Sequence, residues 1–253
     1  MKFRPLLLLL GTVSLGIFSA GAFAGTLTLD LTAAVPLSPT YSGQAGTGTF
    51  DNDIAGLQYF TVTAQSGNPV TFPAQMQLFC IELAQNIYLN STGNFFSVVS
   101  ADQGSSGGPF SPLGAAIPNT GIGAARSGNL EVLYAHKFGT VYNPGALSDT
   151  EKLGFQLAVW ELSHDDNFNL LSGTGNEFWI TTPIDAAISE AQALVSWVQA
   201  NATGAQKMQL NALHSDTIQD FLVPIPEPSF YALLTGMFVL SFTWRRRKNR
   251  ATL

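Results

Sequence analysis

The chain contains one cysteine, Cys80, among its 253 residues. A single thiol excludes an internal disulfide framework. An odd cysteine in an exported chain also needs an explanation, because an oxidising compartment makes an unpaired thiol a liability. Cys80 is therefore a candidate reactive or intermolecular thiol.

Basic residues are equally scarce in the central part of the chain. Between residues 25 and 222, only Arg126, Lys137, Lys152 and Lys207 oppose sixteen acids, which leaves a formal charge of −12. Such a field repels nucleic acid and anionic lipid and favours solubility. The composition thus excludes a nucleic-acid-binding function.

Recognisable cofactor and enzyme motifs are also missing. The sequence has no phosphate loop, no Gly-x-Ser-x-Gly elbow and no dinucleotide-binding fingerprint. The oxygen ligands at Asp165, Asp166 and Asn167 lack EF-hand spacing, so a solvated acidic turn is the expected structure there. We expect no cofactor and no metal site.

The first 24 residues have the pattern of a signal peptide. Lys2 and Arg4 precede an apolar stretch that runs from Leu6 to about Phe18. Ala22 and Ala24 then place small residues where signal peptidase cleaves, which predicts a cut after Ala24. No cysteine follows the apolar region, so this is not a lipoprotein signal.

The C-terminal end combines three features in order. A Pro-rich hinge contains Pro226, Glu227 and Pro228, an apolar run spans residues 230–244, and a basic cluster spans residues 245–250. Basic residues beside an apolar segment favour the cytoplasmic side of a membrane, so the body is expected outside. An ordinary anchor is the alternative, although the run is short of the roughly 20 residues that span a bilayer comfortably.

This arrangement resembles the PEP-CTERM sorting signal of exopolysaccharide-producing Gram-negative bacteria. The resemblance covers residues 223–250. It implies recognition by an exosortase-like membrane protease, removal of the tail after transient anchoring in the inner membrane, and delivery to the cell surface or extracellular matrix.

Residues 25–222 read as one α+β domain with a β-rich first half and three helices. The alternation of Leu27, Leu29 and Leu31 with polar residues is typical of a half-buried strand. The patterns predict strands or hairpins at 26–32, 41–53, 57–64, 70–83, 95–99 and 208–223, helices at 129–137, 148–163 and 182–204, and a loop at 103–123. The third helix should begin at Thr182-Pro183 and bury Ile184 together with Ala187, Ile188, Ala191, Leu194, Val195 and Val198.

The second helix carries an unusual residue. Ser148 and Glu151 match a capping box, which places the helix start there. Leu153, Gln156, Leu157 and Trp160 then fall at the spacing of a core-facing stripe. A buried primary amide needs hydrogen-bond partners, so Gln156 calls for an explanation.

Two short blocks resemble the paired motifs of bacterial surface thioester domains. They are residues 79–82 (Phe-Cys-Ile-Glu) and 155–161 (Phe-Gln-Leu-Ala-Val-Trp-Glu). In that family a strand cysteine and a helix glutamine condense, with loss of ammonia, into a thioester that acylates a partner nucleophile. The resemblance implies a bond between Cys80 and Gln156.

Two further residues would support this chemistry. Glu82, two residues after Cys80, is expected on the same strand face and could move the thiol proton, and Trp160 would exclude water from the bond. Alternatively, Cys80 is a small buried hydrophobe and Gln156 a core amide bound to sheet backbone, without reaction.

An enzyme is the remaining alternative. A cysteine hydrolase would need Cys80 beside His136, His164 or His214, and His164 is more simply explained by its place in the last turn of a helix. We expect a non-enzymatic protein of the cell surface or biofilm matrix. It would attach covalently to an unidentified nucleophile through the thioester, or act as a passive matrix component through non-covalent contacts.

Overall fold

The computed structural model describes residues 25–45, 48–68, 71–83, 87–104, 121–171 and 177–225. The predicted signal peptide, the sorting motif with its apolar run, and most of the predicted loop at 103–123 lie outside these residues. Among the residues described, no helix combines the length and apolarity needed to cross a membrane.

The described chain has the α+β composition expected, with nine strands and three helices. The strands are β1 (Gly25–Val35), β2 (Tyr41–Ala45), β3 (Gly48–Asp53), β4 (Leu57–Ser66), β5 (Gln75–Cys80), β6 (Asn94–Ser100), β7 (Phe178–Ile180), β8 (Leu210–His214) and β9 (Phe221–Pro224). The helices are α1 (Gly123–Phe138), α2 (Asp149–His164) and α3 (Ala186–Asn201).

Six strands form a closed antiparallel barrel in the order β1-β4-β5-β9-β8-β6, and β3-β2-β7 form a separate small sheet. In β1 the predicted alternation is confirmed, because Leu27, Leu29 and Leu31 are buried and the intervening residues are half-buried. The C-terminal strands β8 and β9 close the barrel between β5 and β6. The β-rich first half is therefore completed by strands from the other end of the domain.

Helix α2 lies at the centre of the domain. Its capping box is confirmed: Ser148 Oγ accepts from Glu151 N–H, and the Glu151 carboxylate accepts from Ser148 N–H. Every residue from Lys152 to His164 is buried, so the helix is covered on all sides and not only along the predicted stripe. Gly154 permits this, because a Cβ there would meet the Ala187 carbonyl of α3 at 2.9 Å.

Three predicted elements have wrong boundaries. Strand β5 begins at Gln75 and not at residue 70, and Pro73 just before it has no N–H for a ladder. Helix α1 begins at Gly123, six residues before the prediction. Helix α3 begins after Asp185, whose carboxylate caps Ile188 N–H, and it ends at Asn201 and not near residue 204.

Because α3 starts later than predicted, its set of buried residues also differs from the prediction. Ile184 precedes the helix and is 65% exposed, contrary to prediction. The other predicted stripe residues are buried: Ala187, Ile188, Ala191, Leu194, Val195 and Val198.

Candidate functional site

The structure brings Cys80 and Gln156 into direct contact. Cys80 is the last residue of β5, and Gln156 lies in the middle of α2. Both residues have 0% exposure. Phe79 packs on Phe155 at 4.7 Å between ring centroids, which holds the strand end against the helix. The two residues therefore meet in a site closed to water.

The side-chain amide of Gln156 is bonded to the backbone of Cys80 at both ends. Cys80 N–H donates to Gln156 Oε1 at 3.0 Å, and Gln156 Nε2 donates to the Cys80 carbonyl at 2.7 Å. The Gln156 amide thus bonds to the N–H and C=O of Cys80 in the way that the backbone of a neighbouring strand would.

The barrel explains why Cys80, which pairs with Phe221 of β9, lacks a strand partner on its β4 side. Ile81 N–H bonds to the Asp220 carbonyl on the β9 side, so the alternation of an antiparallel ladder turns the Cys80 N–H and C=O toward β4. The β4–β5 ladder ends at the pair Gln58–Leu78, and β4 itself begins at Leu57. Gln156 thus takes the place of a missing strand partner, which accounts for a buried amide at a core position.

The thiol of Cys80 lies beside the same amide. Its Sγ is 3.5 Å from Gln156 Oε1, in hydrogen-bond contact. Burial raises the pKa of the Cys80 thiol to about 12, and the charges of Asp53 and Glu82 act in the same direction. The group is consequently a neutral thiol at neutral pH, and only a small fraction is the nucleophilic thiolate.

Trp160 lies one turn after Gln156 on α2 and is 1% exposed. Its ring makes an edge-on contact with Phe50 of β3 at 6.0 Å between centroids. The indole N–H acts on Cys80 to lower the thiol pKa, against the larger effect of burial. It nevertheless meets no acceptor in normal hydrogen-bond geometry. The predicted role of Trp160 in excluding water stays a prediction.

Glu82 is buried but occupies a different environment from the one expected. Strand β5 ends at Cys80, so the argument from strand alternation does not apply to Glu82. Its carboxylate accepts from Asp220 N–H at 3.2 Å, and burial, followed by the charge of Asp220, raises its pKa to about 8. Asp220 in turn contacts His214 Nδ1 at 2.8 Å. Buried Glu82 and Asp220 thus form a cluster with half-buried His214 that no local sequence pattern marks.

The three histidines have other described contacts. His136 stacks on Trp197 at 3.5 Å, and His164 Nδ1 lies 2.9 Å from the Trp160 carbonyl. His214 faces Asp220, which raises the histidine pKa through a hydrogen bond. None of these contacts joins a histidine to Cys80, so they lend no support to the hydrolase alternative.

The acidic turn after α2 is more ordered than a solvated turn. Asp165 is 2% exposed, and its carboxylate accepts from the N–H groups of Asn167, Glu177 and Phe178. Asp166 pairs with Arg126 at the surface. Asp165 therefore connects the end of α2 to the start of β7, a role that the sequence pattern did not predict.

A cavity of about 470 Å³ opens where the first half of β5 diverges from β9. It is lined by Gln77, Leu78, Tyr142 and Met208 among others, and neither Cys80 nor Gln156 belongs to its lining. The Cys80–Gln156 site is thus separate from the cavity.

No protein-family model matches the chain, and no curated protein matches it. Among solved structures, the chain is similar to the N-terminal thioester domain of fibronectin-binding protein SfbI from Streptococcus pyogenes. The TM-score is 0.37 and the identity 14%, over 76% of this chain and 96% of that chain. A similarity of this size establishes neither a shared fold nor a shared function.

Proposed function

We propose that residues 25–222 form a thioester-domain-like body in which Cys80 and Gln156 condense into an internal thioester. The observation that supports this most strongly is the pair of hydrogen bonds that docks the Gln156 amide on the Cys80 backbone, beside the thiol and at 0% exposure. Because water hydrolyses thioesters, a dry site is a requirement for such a bond.

The contacts suit the chemistry of formation. Cys80 Sγ attacks the side-chain acyl carbon of Gln156, and the negative charge that develops on Oε1 is stabilised by the Cys80 N–H, 3.0 Å away. The S–C bond forms and the C–N bond breaks. The thiol proton passes to the departing nitrogen, which leaves as ammonia.

The thioester would then acylate an amine or hydroxyl on a partner, once for each molecule. This is single-turnover attachment and not enzyme catalysis, and it uses no metal or cofactor. With a formal charge of −12 in residues 25–222, the body repels nucleic acid, so we propose a surface or matrix nucleophile as the target.

We propose further that the protein is exported, cleaved by signal peptidase after Ala24, and sorted through the Pro226-Glu227-Pro228 motif by an exosortase-like protease. The apolar segment at 230–244 would hold the chain in the inner membrane until the tail is removed. The product would be a component of the cell surface, the biofilm or the exopolysaccharide matrix.

A passive matrix protein is the second candidate, and one observation favours it. In the unreacted form both polar ends of the Gln156 amide are satisfied by Cys80. The pair therefore needs no reaction to be stable as a buried structural contact.

Intact-mass analysis of protein expressed from the full-length chain separates the two candidates. A thioester makes the product lighter by one ammonia, and methylamine should add to it. Cys80→Ala should abolish both effects, whereas Gln192→Ala, at another helix glutamine bonded to backbone, should preserve them. A mass equal to that of the processed sequence would leave only the passive candidate.

Sorting has a separate test. Replacing Pro226, Glu227 and Pro228 by alanine should retain the longer, unreleased form in the inner membrane, and Pro183→Ala should not. Normal release of the triple variant would contradict the sorting proposal and leave the thioester untouched.

A further inference from the structure

The indole N–H of Trp160 is a buried hydrogen-bond donor without an acceptor in normal geometry. Buried polar groups are nearly always satisfied, and an unmade bond is destabilising. Trp160 is 1% exposed, so bulk solvent does not supply the missing acceptor. The Trp160 N–H therefore has no protein acceptor before Cys80 and Gln156 react.

The position of Trp160 points to such a partner. It follows Gln156 by four residues, so both side chains project from the same face of α2. Its ring is held by Phe50, which itself stacks on Phe178 at 5.6 Å between centroids. The indole is therefore fixed beside the reacting pair by packing.

A second observation connects the N–H to the sulfur. Among the influences on Cys80, the Trp160 side chain is the largest that favours the thiolate. Asp53 and Glu82 both disfavour it through their charge. Around this sulfur, Trp160 supplies the side-chain donor that opposes desolvation.

We propose that the Trp160 N–H stabilises the negative sulfur of Cys80 when the thioester forms and again when it is broken. This rests on the proposed function and deepens it, because it makes Trp160 a catalytic residue and not only a barrier to water.

The sulfur is negative at two points in the reaction. During formation, the thiolate exists before its bond to the Gln156 acyl carbon is made. During acyl transfer, the partner amine bonds to that carbon, the C–S bond breaks with its electron pair on sulfur, and the sulfur then takes a proton from the attacking nitrogen. A donor aimed at the sulfur lowers the barrier of both steps.

The kinetics of Trp160→Phe distinguish a donor from a barrier. Loss of a hydrogen bond to a charged group should slow cleavage of the thioester by methylamine about tenfold or more, because such bonds contribute about 1.5–3 kcal/mol. If Trp160 only excludes water, the same substitution should accelerate cleavage and hydrolysis. Trp197→Phe, at a half-buried tryptophan stacked on His136, is the matched control and should leave the rate unchanged.

A further measurement covers the case in which the variant does not fold. If Trp160→Phe does not fold, growth of a tryptophan auxotroph on benzothienylalanine replaces each indole N–H by sulfur with little change of shape, and the same slowing is expected.

The possible results separate the two proposals. A normal mass deficit with an unchanged or faster rate in Trp160→Phe overturns the role of Trp160 and leaves the thioester intact. A wild-type mass without the deficit overturns the proposed function, and the catalytic role of Trp160 with it.

Discussion

The Gln156 amide should stabilise the fold, because it provides the hydrogen bonds that a neighbouring strand would otherwise make with Cys80. This contribution to the free energy of unfolding can be measured in protein that cannot form a thioester. The perturbation is Gln156→Leu, made in a Cys80→Ala background. That background removes the thiol but keeps the Cys80 backbone groups to which the amide binds. Leucine fills a similar volume and has no polar atoms.

The magnitude follows from the two bonds of 3.0 and 2.7 Å. Leucine would leave a fully buried N–H and a fully buried C=O without partners, each costing about 1–3 kcal/mol. The apolar leucine recovers about 1 kcal/mol through burial. We expect the free energy of unfolding to fall by about 3 kcal/mol relative to Cys80→Ala alone.

Urea unfolding followed by far-ultraviolet circular dichroism measures this difference. Gln192→Leu in the same background is the matched control, because Gln192 also accepts from one backbone N–H and donates to one backbone carbonyl, at Leu170 and Phe168. Gln192 is half-buried, so water can replace its bonds, and a loss of about 1 kcal/mol is expected. A loss at Gln156 no larger than that at Gln192 would refute the argument.

Three other predictions follow from the described contacts. Burial, then the charge of Asp165, raises the pKa of Glu161 to about 8, so the folded state keeps a proton that the unfolded state releases above about pH 4.5. Glu161→Gln should therefore increase the free energy of unfolding more at pH 8 than at pH 5. The difference should reach up to about 4 kcal/mol, because each pH unit between the two pKa values contributes about 1.4 kcal/mol. A stabilisation that does not change with pH in urea titrations would contradict this. Ser148→Ala should cost about 1 kcal/mol at pH 7. The pKa of Glu151 is lowered to about 2, first by the bond from Ser148 N–H and then by the bond from the Ser148 hydroxyl. Ser148→Ala removes only the hydroxyl, so the part of its cost that comes from the hydroxyl–carboxylate bond should be lost as the pH falls through 2, whereas the bond that Ser148 Oγ accepts from Glu151 N–H does not titrate. An equal cost at pH 7 and pH 2 would contradict this. The pKa of Cys80 is about 12, so the thiolate fraction rises about tenfold for each pH unit at lower pH. Protein refolded from inclusion bodies should therefore form the thioester about tenfold faster per pH unit from about pH 6 to 9, as measured by intact mass after acid quenching. A rate that does not change with pH would show that deprotonation does not limit the reaction.

Local patterns in the sequence predicted several elements well. The alternation of apolar residues in β1 and the capping box before α2 each depend on residues close in the chain, so a sequence window contains the required information. The buried residues of α3 from Ala187 to Val198 follow for the same reason. The start of α3 was missed because Asp185, and not Thr182-Pro183, provides the cap.

The closure of the barrel could not be predicted in this way. Strands β8 and β9 pair with β6 and β5, more than a hundred residues earlier in the chain. Nothing within a short window specifies such partners. The burial of α2 on all sides has a similar origin, since it depends on the joint packing of α1, α3, β5 and β7 around the helix.

The candidate site was predictable in part. A glutamine on an apolar stripe is a local anomaly, and it pointed to position 156 because buried amides need partners. The reason for the amide was not local, since it depends on β4 ending before it can pair with Cys80. The placement of Glu82 on the strand face of Cys80 does not follow from alternation, because β5 ends at Cys80 and the Glu82 carboxylate accepts from Asp220 N–H. The predicted role of Glu82 in moving the thiol proton stays a prediction.

Tandem mass spectrometry of proteolytic fragments from the native protein, digested under acid conditions that preserve thioesters, tests the thioester most directly. We expect one linked species that joins the Cys80 peptide to the Gln156 peptide, with a mass one ammonia below their sum. Recovery of the two peptides separately, with a free thiol and an intact amide, would contradict it.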